Sequence, residues 1–156
     1  MSRASLEATI PPATHIVLDT SVVLAYLSGN ESVSPAASIV VDDFVRTGRN
    51  EATISALTVT ETLVRPFNVG ARELATAEAF LMHFPGLQVE DIDYSIAREA
   101  GRLRASTGLR TPDAIIIATA SAREIPIVVA NDEHWAKAVA AEPSLVLCHL
   151  DAHVPI

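Results

Sequence analysis

The sequence is poor in cysteine and in long apolar runs. Its single cysteine, Cys148, has no partner for an internal disulfide, and its apolar neighbours predict a buried thiol within a strand. The longest apolar run covers residues 22–27, far short of the ~18–20 residues that a helix needs to span a bilayer, which argues against a membrane protein. The N-terminal segment has no apolar stretch beside a basic one, so we expect no secretory signal and a cytoplasmic location.

Basic residues are also scarce. The chain has 19 Asp and Glu against 11 Lys and Arg, which gives a formal net charge of −8. Passive binding of nucleic acid depends on Lys and Arg that neutralise phosphates, so this balance counts against a protein that holds nucleic acid by charge alone. It does not exclude a nuclease, because bound divalent cations make an acidic site less negative. Ten of the eleven basic residues are also Arg, which suits phosphate better than Lys.

Apolar residues make up 49% of the 156 residues, a length that fits one domain with one core. Short apolar runs predict five buried strands, at residues 15–19, 52–55, 88–92, 127–130 and 145–150. Apolar spacing and Pro and Gly boundaries predict helices at residues 35–46, 58–64, 71–84, 95–107, 111–124 and 133–140. Strands that alternate with helices are typical of a parallel sheet covered on both faces, so we predict an α/β fold.

The chain divides into three parts in this interpretation. Residues 1–14, which include Pro11 and Pro12, are expected to form an N-terminal extension outside the core. Residues 15–150 form the predicted domain, and residues 151–156 form a C-terminal tail.

Four acidic residues lie near the ends of the predicted strands or the starts of helices. Asp19 closes the first strand, Glu61 and Asp113 lie in the first turns of their helices, and Asp132 follows the fourth strand by two residues. Each also has a structural explanation, since Asp favours turns, Thr58 and Glu61 fit a capping box, and Asp113 suits a helix dipole. In open parallel sheets, however, ligand sites form beyond the carboxyl ends of the strands, so we predict that the four acids converge there.

A cluster of this kind needs counter-charge. Two carboxylates about 5 Å apart repel by roughly 3 kcal/mol at an effective dielectric near 20. Four together are expected to take up protons or recruit cations, and hard oxygen ligands select Mg²⁺ or Mn²⁺ over Zn²⁺. Such ions activate water toward a phosphodiester without a side-chain nucleophile, and the sequence has no recognisable Ser or Cys triad motif.

Four sequence blocks carry a family resemblance. They are VLDTSVVLAYL (17–27), ISALTVTETL (54–63), TPDAIIIATA (111–120) and IVVANDEHW (127–135). Their order and spacing resemble the signature blocks of PIN-domain proteins, and in particular the VapC-type toxins of prokaryotic toxin–antitoxin pairs. The resemblance extends over about residues 15 to 150.

This resemblance implies a three-layer α/β/α fold with a central, mainly parallel five-stranded sheet, and Mg²⁺- or Mn²⁺-dependent cleavage of RNA that leaves 5′-phosphate and 3′-hydroxyl ends. It implies that Asp19 and Asp113 are the principal metal ligands, and that Glu61 and Asp132 complete the shell directly or through water. It also implies an antitoxin partner and a homodimer. The supporting residues would be Thr20, Ser21, Thr111 and Asn131.

One position departs from the family pattern and leaves alternatives open. Ala130 stands where the family usually has the Thr of Thr-Asn-Asp, and the lost hydroxyl, with the negative charge, favours an inactive PIN-like interaction module as one alternative. A housekeeping PIN nuclease in RNA maturation is another. A nucleotide-binding or phosphotransfer domain fits poorly, because no Gly-x-Gly-x-x-Gly or Gly-Lys-Ser/Thr loop is present and Ser21 interrupts an Asp-x-Asp motif.

Three other features have structural interpretations. His149 and His153, near Cys148, resemble a metal clip but do not share a helix face, so we interpret them as edge-strand residues. Trp135 is expected to pack in the core. Arg98, Arg102 and Arg104 share part of one predicted helix, and Arg110 is near Asp113 in the sequence. Either an exposed helix face or a phosphate-binding surface would account for these arginines.

Overall fold

The computed structural model describes residues 3–153, and its centre is a five-stranded sheet. The strands are β1 (Ile16–Leu18), β2 (Ala52–Ser55), β3 (Leu87–Glu90), β4 (Ile127–Ala130) and β5 (Val146–His149). They lie in the order β3-β2-β1-β4-β5, and every neighbouring pair is parallel. The chain builds outward from β1 in one direction and then returns to add β4 and β5 on its other side. Strand order therefore reverses beside β1, where open α/β sheets form their binding crevices.

Helices surround this sheet. They are α1 (Arg3–Thr9), α2 (Thr20–Ser28), α3 (Ser34–Ser38), α4 (Ala56–Val69), α5 (Ala71–His83), α6 (Tyr94–Thr107), α7 (Thr111–Ala122) and α8 (Trp135–Ala140). A π-helical segment (Ile39–Val45) follows α3, and a 3₁₀ turn (Leu150–His153) follows β5. No helix among the described residues is long and apolar enough to cross a membrane.

Alternation along the strands creates two cores, one on each face of the sheet. Ile16 and Leu18 of β1 belong to a cluster with α1, α2, α3 and the π-helical segment, whereas Val17 faces α6, α7 and α8. In β4, Val129 belongs to the first of these clusters and Val128 to the second. This is the consequence of a side-chain period of two in a strand that is buried on both faces. The predicted three-layer α/β/α fold with a parallel five-stranded sheet is confirmed.

Residues 1 and 2 lie outside the described part of the chain, and for residues 3–14 the prediction of an extension outside the core is wrong. Leu6 of α1 and Ile10, which follows it, are fully buried in the cluster that also contains α2. The Ser5 hydroxyl lies 2.8 Å from Nδ1 of His153, so the beginning of the described chain also contacts its end. Pro11 and Pro12 end the helical segment without separating it from the domain.

Helix α4 begins earlier than predicted, and this changes the interpretation of Glu61. Ser55 is the N-cap residue, and its Oγ accepts a hydrogen bond from Leu57 N at 3.2 Å. Glu61 therefore lies beyond the first turn, and Thr58 is buried inside the helix. The capping-box explanation for Thr58 and Glu61 is thus wrong, and Glu61 is available for another role.

Asp93 Oδ1 accepts a hydrogen bond from Ile96 N at 3.0 Å and caps α6. The predictions for Cys148 and Trp135 are confirmed. Cys148 is a buried thiol in β5, and Trp135 is buried in the core. The segment predicted as one helix at residues 35–46 is instead the short α3 followed by the π-helical segment.

Candidate active site

The four predicted acids line one cavity of about 700 Å³. Asp19 and Asp132 follow the central strands β1 and β4, Glu61 lies on the helix that follows β2, and Asp113 lies in the first turn of α7. Because the strands are parallel, the segments that leave β1, β2 and β4 begin at the same edge of the sheet. The cavity therefore lies beside the point where strand order reverses, as the sequence predicted.

Asp19 is held in place by the first turn of α2. Its Oδ2 accepts hydrogen bonds from Ser21 N at 3.2 Å and from Ser21 Oγ at 2.5 Å, so it is the N-cap of this helix. The Asn131 backbone N–H donates to the same Ser21 hydroxyl at 3.1 Å. Ser21 thus joins the carboxyl end of β1 to the carboxyl end of β4.

Asp19 is only 6% exposed, and burial raises its pKa to about 6. The hydrogen bonds from Ser21 and Thr20 lower this pKa, whereas the negative charge of Asp113 raises it further. The carboxylate is therefore costly to keep ionised in the cavity, and a nearby cation would stabilise its charged form.

Glu61 is positioned by a hydroxyl pair between α2 and α4. Thr20 Oγ1 donates to Glu61 Oε2 at 2.5 Å and lies 3.0 Å from Thr58 Oγ1. Thr58 precedes Glu61 by three residues, so the two side chains share one face of α4. Thr58 and Thr20 are both buried, which fixes the position of the Glu61 carboxylate at the cavity wall.

Asp113 and Asp132 share a basic neighbour. Arg110 donates from Nε to Asp113 Oδ2 at 2.9 Å and from Nη2 to Asp113 Oδ1 at 3.3 Å, and its Nη2 lies 3.9 Å from Asp132 Oδ2. Asp132 Oδ1 also accepts hydrogen bonds from the backbone N–H and Nδ1 of His134, both at 2.8 Å. Burial raises the pKa of Asp132, but the hydrogen bonds and charges of His134 and Arg110 outweigh it and lower the pKa overall.

The predicted supporting residues differ in position. Thr20, Ser21 and Asn131 line the cavity, whereas Thr111 is exposed and is not among the described residues that line it. The Asn131 side-chain oxygen is buried and has no hydrogen-bond partner within residues 3–153. Ala130 is fully buried in the core cluster under α6, α7 and α8, so its methyl group is not part of the cavity wall.

Sequence reasoning missed two further acids that line the cavity, Glu133 and Asp151. Asp151 follows β5 as Asp132 follows β4, so the rule that selected the other acids also applied to it. The sequence analysis places Asp151 in the C-terminal tail, and the structure places it at the cavity. The sequence places Arg110 near Asp113 and suggests a phosphate-binding role, but it does not predict the direct contacts of this arginine with Asp113 and Asp132.

The donor set fits a hard divalent cation. Four carboxylates and an unpartnered amide oxygen are oxygen donors of the kind that such ions prefer. Within residues 3–153, no three His, Cys, Asp or Glu side chains already have the arrangement of a metal site. At the cavity, the guanidinium of Arg110 occupies the space beside Asp113 and Asp132, so a cation that used both carboxylates would require this side chain to move.

The histidines near Cys148 do not form a metal clip either. His153 is buried in the 3₁₀ turn rather than at a strand edge, with Nε2 3.8 Å from Cys148 Sγ. His149 lies in β5. The contacts of His153 link the C-terminal turn to β5 and α1.

Comparisons with known proteins agree with this architecture. The PIN domain family matches residues 16–141. A toxin–antitoxin complex from Klebsiella pneumoniae is 20% identical, with a TM-score of 0.64 over 84% of this chain and 95% of that chain. FitAcB from Neisseria gonorrhoeae is 18% identical, with a TM-score of 0.65 over 86% of this chain and 97% of that chain.

A third similar structure is VapC20 from Mycobacterium tuberculosis, described as a Sarcin-Ricin loop cleaving toxin. It is 18% identical, with a TM-score of 0.64 over 81% of this chain and 95% of that chain. At these identities the likeness establishes the fold. A comparison with curated protein sequences gave no match.

Proposed function

Because this chain belongs to the PIN-domain family, we propose that it is a metal-dependent ribonuclease and the toxin of a prokaryotic toxin–antitoxin pair. The observation that carries the proposal is the convergence of Asp19, Glu61, Asp113 and Asp132 on one cavity at the carboxyl edge of the sheet. Similar structures described as toxins or toxin–antitoxin complexes support the biological setting.

In this proposal, Asp19 and Asp113 hold Mg²⁺ or Mn²⁺, and Glu61 and Asp132 complete the ligand shell directly or through water. When bound, such an ion supplies Lewis acidity toward a phosphodiester and positive charge that offsets the carboxylates. The protein contributes the positions of the ligands. Ser21 fixes Asp19 against the β4 edge, and Thr20 fixes Glu61 against α2.

The electrostatics of the cavity support a need for the cation. Six acids and one arginine line it, so an RNA phosphate approaching the cavity without a cation meets net negative charge. Burial, with a smaller contribution from the negative charge of Asp113, raises the pKa of Asp19 to about 6, so a nearby cation would favour the charged form of this carboxyl. Strict dependence on a divalent ion is therefore expected.

Cleavage of RNA by the purified protein tests the enzymatic part. We expect cleavage with Mn²⁺ or Mg²⁺, none with a chelator, and at least a hundredfold loss in the Asp19→Asn and Asp113→Asn variants, which is about 2.7 kcal/mol of transition-state stabilisation. Asp91→Asn, which changes an exposed acid outside the cavity, is the matched control. Full activity in Asp19→Asn or in the presence of chelator would contradict the proposal.

A second cavity supports an antitoxin partner. It has a volume of about 630 Å³, lies between α2 and α4, and shares Leu24 and Glu61 with the acidic cavity. Its wall includes the exposed apolar side chains Val64 and Val69. A protein segment bound along this groove would extend over the acidic site and block it.

Expression in a bacterial host tests the toxin role. We expect growth arrest that Asp19→Asn abolishes and that co-expression of a small protein encoded next to the toxin relieves. The family resemblance also implies a homodimer, and sedimentation of the purified protein is expected to give the mass of two chains. Active RNA cleavage without any growth defect would favour the alternative of a housekeeping nuclease.

The alternative of an inactive interaction module rested on Ala130 and the net charge. The side chain of Ala130 lies in the core and not on the cavity, and Ser21 provides a hydroxyl that contacts both Asp19 and the Asn131 backbone. These observations favour an active site over the inactive alternative.

A further inference from the structure

Arg110 is the one Lys or Arg among the described residues that line the acidic cavity. Its guanidinium makes a two-point contact with Asp113 and approaches Asp132, and its charge also acts on Glu61. A single side chain thus interacts with three of the four proposed ligands.

The contact differs from those of Arg102 and Arg123. Arg102 bridges Glu99 and Glu142, and Arg123 bridges Glu90 and Asp93, so each links separate elements of the fold away from the cavity. Arg110 instead reaches from the N-cap of α7 into the first turn of its own helix. Its side chain is 76% exposed, so it can leave without disturbing the core.

A divalent cation and this guanidinium need the same oxygen atoms. The Arg110 fork uses both oxygens of Asp113, and a cation close to Asp113 and Asp132 would also be repelled by the guanidinium charge. The two positive groups are therefore alternatives at this edge of the cavity.

We propose that Arg110 is an internal counter-ion that stabilises the cation-free cavity and competes with the divalent ion for Asp113 and Asp132. This side chain then raises the concentration of cation at which the site fills. The inference rests on the proposed metal dependence, and it assigns Arg110 a role opposite to that of a residue that orients Asp113 for the metal.

Direct titration with Mn²⁺, followed by electron paramagnetic resonance of the free ion, distinguishes the two roles. If Arg110 competes, Arg110→Gln binds Mn²⁺ roughly five- to tenfold more tightly than the wild type, because it lacks the bound fork and the repulsive charge. Arg110→Lys keeps the charge but cannot form the two-point contact, so its Mn²⁺ affinity falls between those of the wild type and Arg110→Gln. Arg98→Gln, which removes the same charge from an exposed position of α6 outside the cavity, changes the affinity less than twofold.

Thermal unfolding in EDTA gives the second measurement. Arg110→Gln leaves the carboxylates without their counter-ion, so in EDTA its melting temperature is lower than that of Arg98→Gln. On addition of Mn²⁺, its melting temperature rises by more than that of Arg98→Gln. Equal or weaker Mn²⁺ binding by Arg110→Gln would overturn the competition while leaving the metal site intact. Absence of Mn²⁺ binding in both the wild type and Arg110→Gln would overturn the proposed metal dependence and this inference together.

Discussion

The side-chain hydroxyl of Ser21 accepts a hydrogen bond from the Asn131 backbone N–H at 3.1 Å, and this contact spans 110 residues of sequence. The same hydroxyl donates to Asp19, so the most buried acid of the cavity is tied to the loop that carries Asp132. The separation of the two proposed ligands therefore depends on one small polar side chain at the first turn of α2.

We expect Ser21→Ala to keep the fold and lose much of the function. The variant removes a hydrogen bond to a carboxylate and one to a backbone amide, which together are worth roughly 1–3 kcal/mol of stability. Mn²⁺ binding and RNA cleavage should each fall about tenfold or more, because Asp19 and the β4 edge are no longer held together. Titration and cleavage assays measure this, with Ser106→Ala in α6 as the matched control.

A normal Mn²⁺ affinity in Ser21→Ala would show that the hydroxyl does not position Asp19. A loss of the same size in Ser106→Ala would point instead to a general effect on stability. The comparison therefore separates positioning from folding.

Thr20→Val should uncouple Glu61 from α2. The substitution conserves shape but leaves the Thr58 hydroxyl buried next to a methyl group, at an expected cost of about 1–3 kcal/mol in the free energy of unfolding. The double variant Thr20→Val/Thr58→Val should recover part of this stability, because both polar partners are then absent. Urea unfolding measures the stabilities.

Cleavage activity should not recover in the double variant, since Glu61 still lacks its donor. Recovery of both stability and activity would show that Thr20 acts only through packing. If the double variant loses as much stability as the two single variants together, the pairing of the two hydroxyls is contradicted.

The sheet and the acidic cavity were predictable because they depend on short-range signals. Buried strands in a parallel sheet are continuous apolar runs, and the residues that follow them must lie at one edge. Asp19 and Asp132 were accessible to this argument, and so was Asp151, which directly follows the predicted last strand. Position after a strand was sufficient to predict the edge of the sheet at which these residues lie.

The features that were missed depend on contacts between distant parts of the chain. The seven-residue α1 is too short to show a clear helical period, and its core role comes from Leu6 contacting elements that follow much later. The start of α4 was missed because its cap, Ser55, is also the last residue of β2. The pairing of Arg110 with Asp132 requires α7 to lie beside β4, which no local pattern reports.

Leu6→Ala should destabilise the whole domain and not only its N-terminal helix. Leu6 is fully buried in the cluster that contains β1 and α2, so truncation leaves a cavity at an expected cost of about 2–5 kcal/mol. Met82→Ala, at a strongly exposed position of α5, should cost less than about 0.5 kcal/mol. Urea unfolding monitored at Trp135 tests this, and an unfolding midpoint close to that of the Met82 variant would mean that α1 is dispensable.

The last prediction concerns pH and the contact between the two ends of the described chain. Burial lowers the pKa of His153, and the charge of His149 lowers it further, while its ring nitrogens face Ser5 and Cys148. A base with a lowered pKa binds fewer protons in the folded state than in the unfolded one. The contribution of His153 to stability is therefore fully present above the unfolded pKa of about 6.5, and it is lost as the pH falls through the folded-state pKa.

His153→Gln should therefore be less stable than the wild type at pH 7.5, and the difference between the two should narrow at pH 5.5. The comparison by difference is necessary because Asp19, whose pKa is raised to about 6, acts in the opposite direction. Its contribution to stability increases as the pH falls through that folded-state pKa toward the ordinary value of 3.8. Urea unfolding at both pH values in EDTA measures the two differences. A gap that stays constant at pH 5.5 would mean that His153 titrates alike in the folded and unfolded chains, and a gap that widens would mean that the folded chain favours the protonated ring. Either result would contradict the dependence of the Ser5 and Cys148 contacts on a neutral ring.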